Sequence, residues 1–165
     1  QMLYTGFIHQ GCAAVRYPRG VGPGVKVTKK MTAITIGKGE VVRVGLKLAI
    51  LNFGALLDTA KKVGDDLNAT VVDMRFVKPL DIGLINKLSK ENILLVTIED
   101  NVIAGGAGSS VSEHLACSDS QVHILHIGLP DKFITHGSRK YQLNLAGLDQ
   151  EGIKLAIQSK LNIIS

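Results

Sequence analysis

The stretch from Ile93 to Cys117, ILLVTIEDNVIAGGAGSSVSEHLAC, restricts the possible folds more than any other part of the chain. Ile93, Leu94, Leu95, Val96 and Ile98, interrupted only by Thr97, make an aliphatic run of strand length, which predicts a strand buried on both faces. A charged break is expected at Glu99, Asp100 and Asn101. Gly105, Gly106 and Gly108 then suit a tight strand-to-helix crossing, because glycine tolerates positive φ and admits close backbone approach. Ser109 or Ser110 is placed to cap a helix whose inward face carries Val111 and Leu115. The start of such a helix presents backbone N–H groups and partial positive charge. Two readings stay open: a cradle for a phosphate or carboxylate, or a tight turn that binds nothing.

The 165 residues suffice for one domain, with room for a tail from a neighbour. Apolar residues make up 45% but aromatic ones only 4%, with no Trp, so the core must be aliphatic. Cys12 and Cys117 have no metal-ligand spacing, which fits free thiols in a cytoplasmic protein. No apolar run approaches the roughly 20 residues of a membrane helix, and no signal peptide is visible. The net charge of +5 raises the question of nucleic acid. Its basic residues are scattered, however, and no aromatic side chains interleave with them as stacking platforms. Solvated surface accounts for them better, and neither a nucleic-acid nor a membrane partner is expected. The first residue, Gln1, starts inside what reads as structure, so a fragment of a longer protein is expected.

Along the chain, residues 1–9 read as a short helix and Ala13–Tyr17 as a strand ended by Pro18. The Gly-, Pro- and Lys-rich segment over 21–32 reads as a linker. Ile34–Val44, with Gly37 and Gly39, predicts a bent edge strand, and Lys47–Phe53 a buried one. Leu56, Ala60, Val63 and Leu67 recur at helical spacing. A strand is expected over Thr70–Phe76, then a helix capped by Asp81 with Ile82, Ile85 and Leu88 on one face. After the Ile93 strand and its helix come a strand over Val122–Ile127, a helix capped by Ser138 and running to Leu145, and a last helix behind Asp149 from Glu151 to about Leu161. This alternation predicts βαβ units: a three-layer αβα domain with a mostly parallel sheet and right-handed crossovers. Ligands of such sheets gather beyond the carboxyl ends of the strands. That rule selects Asn52, Arg75, Glu99 to Asn101 and the Leu129–Asp131 loop.

Few residues form a recognisable chemical set. Gly106-Ala-Gly108 lacks the third glycine of a dinucleotide fingerprint and the later acidic strand end, so nucleotide binding of that kind is rejected. Gly37-Lys-Gly39 fails because a β-branched run follows it. There is no phosphate-loop motif, no HExxH and no GxSxG. His123 and His126, three apart on a strand, face opposite sides and make a poor metal pair. Arg16 and Arg19 remain, in AVRYPRG. A planar guanidinium fork suits phosphate or carboxylate, and surface salt bridges are the competing reading. Arg16, if within a strand, must be paired internally, whereas Arg19 beyond the turn is freer to reach a ligand.

The blocks MLYTGF, AVRYPRG, IGKGEVV, LAILNFG, VVDMRFVKPLD, LVTIEDNVIAGGAGSSVSE, IGLPDKFITHG and AGLDQEGI, in this order, resemble the C-terminal part of the 1-deoxy-D-xylulose-5-phosphate synthase family of transketolase-like thiamine-diphosphate enzymes. Transketolase and the pyruvate dehydrogenase β subunit share only the looser strand, Glu and GGxGS pattern. The resemblance implies a transferase that condenses pyruvate with glyceraldehyde 3-phosphate and releases CO2, toward isoprenoid, thiamine and pyridoxal precursors. It implies thiamine diphosphate and Mg²⁺ in the full-length enzyme and none bound by this segment, with the enzyme's remaining domains and a homodimer partner as neighbours. It further implies a five-stranded sheet, with residues 1–20 as the tail of a pyrimidine-binding domain, 21–32 a linker, and 33–165 a transketolase C-terminal-like domain. Arg19 falls on the family's phosphate-binding arginine, and Arg16 is left a structural or supporting role. The family's Mg²⁺-diphosphate motif is absent, since Gly64-Asp65-Asp66 lies in a helical pattern, and Glu99 matches no catalytic position. The segment alone is therefore expected to be inactive. The rival readings are a stand-alone assembly or regulatory domain, and the C-terminal domain of a 2-oxo acid dehydrogenase β subunit, against which GLPDKFITHG speaks.

Overall fold

The computed structural model describes residues 1–18, 22, 24 and 29–164. Helix α1 (Met2–Ile8) comes first. Strand β1 (Glu40–Arg43), β2 (Lys47–Phe53), helix α2 (Leu57–Leu67) and β3 (Thr70–Asp73) follow. Helix α3 (Ile82–Glu91), β4 (Asn92–Val102), α4 (Ala107–Ala116) and β5 (His123–Leu129) come next, and α5 (Arg139–Leu145) and α6 (Gln150–Ile164) close the chain. The five strands form one sheet in the order β1-β3-β2-β4-β5. All pairs are parallel except β1 with β3. This is the expected αβα arrangement.

Alternating side chains of the central strands feed two separate cores. Leu48, Ile50, Val71, Leu94, Val96 and Ile98 meet Ala60, Val63, Ile153 and Ile157 of α2 and α6. Ala49, Leu51, Val72 and Leu95 meet Ile85 and Leu88 of α3 and Val111 and Leu115 of α4. That division explains why β2 and β4 read as unbroken apolar runs: neither face is solvated. It also follows from the crossovers. The step from β2 to β3 and the steps from β3 to β4 to β5 run in opposite directions across the sheet. A constant right hand therefore sends α2 to one face and α3 and α4 to the other. The crevice at this reversal opens between the carboxyl ends of β2 and β4.

Several boundaries differ from those expected. Glu99 to Asn101 do not break β4, which runs on to Val102. Ala13–Tyr17 form no strand, because no ladder partner is present for them among the described residues. β1 spans only Glu40–Arg43, since a turn at Ile36 and Gly37 precedes it and its register slips between Val41 and Arg43. β3 stops at Asp73, ahead of Arg75 at φ 58°, a conformation that cannot continue a strand. Ser109 and Ser110 lie inside α4, whose N-cap is Gly106. Ile82 points outward, 48% exposed, and Ile85 and Leu88 carry the buried face of α3. α6 extends past Leu161 to Ile164.

The caps at Asp81, Ser138 and Asp149 form as expected. Asp81 does more than cap. Its carboxylate accepts from Leu84 N–H at 3.2 Å and Gly39 N–H at 3.1 Å, and Lys38 Nζ lies 3.2 Å away. Burial pushes its pKa up, but these donors hold it below the ordinary carboxylate value. Asp81→Ala removes the cap and leaves the Gly39 N–H unpaired. It should cost about 2 kcal/mol, read as a lower urea midpoint at unchanged m-value, and a loss under ~0.5 kcal/mol would refute this account.

Candidate functional site

At the carboxyl end of β4, Glu99 is only 2% exposed. Its two oxygens accept hydrogen bonds from the first N–H groups of α4, Ala107 at 2.7 Å and Gly108 at 3.0 Å. Of the two readings left open for this helix start, the donors of an anion seat are present, and the carboxylate in it is the chain's own. The glycines are required by proximity. A Cβ on Gly106 would sit 2.3 Å from Glu99 Oε2, and one on Gly108 would sit 2.5 Å from Thr97 Oγ1 and 2.6 Å from His126 Nδ1.

His126 completes this layer. Its Nδ1 is hydrogen-bonded to Thr97 Oγ1 at 2.6 Å and its Nε2 to Ser112 Oγ at 2.7 Å, so β5, β4 and α4 are pinned through one ring. Burial pushes its pKa below the ordinary 6.5, and the nearby Glu99 carboxylate opposes that only partly. Ser112 and His126 form a hydroxyl–imidazole pair, but the third member is a threonine hydroxyl where nucleophilic catalysis wants a carboxylate. His114 is likewise committed, bonded to Asn86 of α3 at 2.6 Å. The sequence offered one signal for this layer, Thr97 as the lone polar residue of an aliphatic run, and none for its partners.

The other residues selected by the strand-end rule divide into engaged and open. Arg75 pairs with Glu40 and lies 3.7 Å from Asp73, so its charge ties β1 to β3. Asn52 is fully buried; its Nδ2 donates to Gly54 O at 2.8 Å, while its Oδ1 has no partner. Asp100 takes Arg139 Nη2 on its carboxylate at 2.6 Å and Arg16 Nη2 on its backbone carbonyl. Arg16 is thus paired with a neutral acceptor at the sheet's carboxyl end, although it is exposed and outside any strand. Pro130 of the Leu129–Asp131 loop lines a cleft of about 200 Å³ together with Lys132, Phe133 and Leu145, with Phe133 fully exposed. Arg19, the expected phosphate ligand, lies outside the described residues, as do residues 21, 23 and 25–28 of the 21–32 segment.

With this geometry in hand, similarity to known proteins becomes informative. Residues 37–153 match the family model described as "Transketolase, C-terminal domain". The 1-deoxy-D-xylulose-5-phosphate synthase of Thioalkalivibrio sulfidiphilus is 51% identical over 162 residues, which is 98% of this chain and 25% of the relative. That of Methylococcus capsulatus is 54% identical over 159 residues, 96% of this chain and 25% of the relative. The chain therefore spans about a quarter of the length of these curated relatives. Among solved structures, one titled "Split gene transketolase, inactive beta4 tetramer" superposes with TM-score 0.74 at 25% identity, covering 90% of this chain and 48% of that one. Transketolase of Campylobacter jejuni shares the fold at TM-score 0.56 and 13% identity, over 74% of this chain and 18% of that one.

Two outcomes follow from the buried layer. Glu99→Gln removes the helix-start anion and turns an amide N–H₂ toward backbone donors. It should destabilise the chain by about 2–3 kcal/mol, seen as a lower melting or urea midpoint, and no loss would refute the cap. His126 has a folded pKa below its unfolded one, so the stability it lends is complete above pH 6.5 and declines as pH falls through the lowered value. Urea midpoints compared at pH 7.5 and 5.5 should fall on acidification, and His126→Asn should flatten that fall.

Proposed function

The chain belongs to the transketolase C-terminal domain family, and from that premise we propose that it is the C-terminal part of a 1-deoxy-D-xylulose-5-phosphate synthase. The whole enzyme condenses pyruvate with glyceraldehyde 3-phosphate, releases CO2 and works as a homodimer in the cytoplasm. The observation that carries this reading is identity of about half the residues across nearly the full chain with enzymes of that name. Residues 1–20 then close the preceding pyrimidine-binding domain, 21–32 link, and 33–165 form the C-terminal domain.

Thiamine diphosphate with Mg²⁺ supplies the nucleophilic carbon for such a condensation. The described residues do not fit that group. The helix start at Ala107 and Gly108 already carries the Glu99 carboxylate, which would repel a diphosphate. No cluster of three metal-ligating side chains lies among the described residues. No step through the cofactor is therefore assigned to this segment, which contributes one edge of the substrate pocket. Arg19 holds the phosphate of the aldehyde substrate there by charge-assisted hydrogen bonds and leaves pyruvate untouched.

In the full-length enzyme, Arg19→Ala should raise KM for glyceraldehyde 3-phosphate by roughly 10- to 150-fold, the scale of a lost charged bond. KM for pyruvate should stay within about twofold, since no charged bond to it is lost. Equal effects on the two substrates would remove the phosphate role.

A further inference from the structure

The core of this protein is aliphatic, and its three Tyr and four Phe are placed mostly elsewhere. Only Phe53 among them belongs to the core. Phe7, Tyr17 and Tyr141 are 86%, 72% and 53% exposed, and Phe133 is fully exposed. Aromatic side chains bury the largest apolar areas and are enriched at the centres of protein interfaces. A single exposed one is ordinary, but several gathered on one side of a domain mark a surface that is covered by something.

Hydrogen bonds bring these four together at the carboxyl end of the sheet. Tyr17 follows Arg16, whose Nη2 donates to the Asp100 carbonyl on β4. Arg139 Nη2 donates to the Asp100 carboxylate at 2.6 Å, and Arg139 opens α5, which carries Tyr141 and the exposed Leu145. Gln142 Nε2 donates to Thr135 O at 3.1 Å and so draws the segment with Phe133 onto α5, where Phe133 and Leu145 flank the cleft of about 200 Å³. Phe7 lies on α1, and α1 rests against the strand of chain that holds Arg16: a Cβ on Gly6 would meet Val15 Cγ2 at 3.3 Å. In α1 only Thr5 is buried, and Leu3 and Phe7, four residues apart, form one exposed apolar stripe. Seven residues are too few for a helix to persist on propensity alone, so that stripe needs packing from outside.

We propose that this face, made by Leu3, Phe7, Tyr17, Phe133, Tyr141 and Leu145, is the docking surface for the part of the same polypeptide that precedes Gln1. The proposal rests on the reading above, in which the chain is the C-terminal part of an enzyme, and it spans about a quarter of the relatives' length. On that reading the remaining polypeptide joins at Gln1, the residue directly before α1, and is tethered at the margin of the patch. A tethered surface acts at an effective concentration on the order of millimolar, whereas a second copy has to be recruited from solution. The two arginine bonds to Asp100 fix the strap of residues 1–18 and the α5 region against one strand end, so both halves of the surface are preorganised for a single occupant. The amino end of the sheet also exposes Val44 and Leu46, but these are aliphatic and provide the control.

The test uses the full-length enzyme with the photoreactive residue p-benzoylphenylalanine in place of Phe133, of Tyr141 or, as the control, of Val44. Irradiation should give adducts of monomer mass that join positions 133 and 141 to peptides preceding Gln1, and none from position 44. Adducts of doubled mass alone would assign the face to a second copy and overturn the proposal. So would upstream adducts from position 44 as abundant as those from 133, or none from 133 and 141. Phe133→Asp, at a side chain the domain itself leaves exposed, should speed amide exchange over Arg139–Leu145 in the full-length enzyme roughly tenfold, the scale of one lost interface anchor. Val44→Asp should leave that exchange unchanged, and equal exchange in Phe133→Asp and the parent enzyme would also overturn the proposal. Condensation of pyruvate with glyceraldehyde 3-phosphate by the parent enzyme tests the underlying reading separately. Condensation without upstream adducts sinks the docking surface alone; upstream adducts without condensation sink the synthase reading alone. A gene product with no polypeptide before Gln1 overturns both.

Discussion

A buried carboxylate holds this domain's central crossover together. Glu99 would be costly to bury alone, by several kcal/mol for an unpaired charge away from water. It is tolerated because α4 begins against it and turns two otherwise orphaned N–H groups onto its oxygens. The dependence runs both ways: α4 has no side-chain cap of its own. Gly106 and Gly108 are then obligatory, since any side chain there would enter the space of the carboxylate or of the Thr97–His126 pair. One interaction thus sets the end of β4, the start of α4 and the small residues between them.

The same interaction decides what the crossover can do for a ligand. A helix start after a parallel strand is a common seat for phosphate, but here it is filled from within. Recognition of an external anion has to come from side chains that approach the sheet end from elsewhere. Arginine is suited to that, because its fork stays charged at any physiological pH. Arg16 and Arg139 reach the carboxyl end of β4 in this way, and Asp100 engages both of them there.

Much of the architecture was legible in the residues alone, for identifiable reasons. β2 matched its expected bounds because KLAILNF is buried on both faces and bounded by Gly54. Asp81 and Ser138 announced their helices because short side-chain acceptors at that spacing have few other uses. The failures were polar residues whose partners are distant in sequence. Glu99 to Asn101 look like a strand break until α4 supplies donors to Glu99, and a serine cap was expected for a helix that takes its acceptor from the preceding strand. Asp100 was selected only by its place near a strand end, and nothing local announced the partners of His126, Asp100 and Arg139, which lie 14 to 84 residues away. The phosphate role of Arg19 came from resemblance to a family rather than from spacing.

The antiparallel strand β1 has a consequence for the domain in solution. An open parallel sheet offers its outermost strand as a template to other chains, and long flat edges invite fibre-like stacking. Here the rim is four residues long, interrupted in register and flanked by charges: Glu40 is drawn to Arg75, and Arg43 is folded back onto Asp65 at 2.7 Å. A passing strand meets a short, crooked and charged margin, so the domain's adhesion-prone flank is blunted by the same residues that close its sheet.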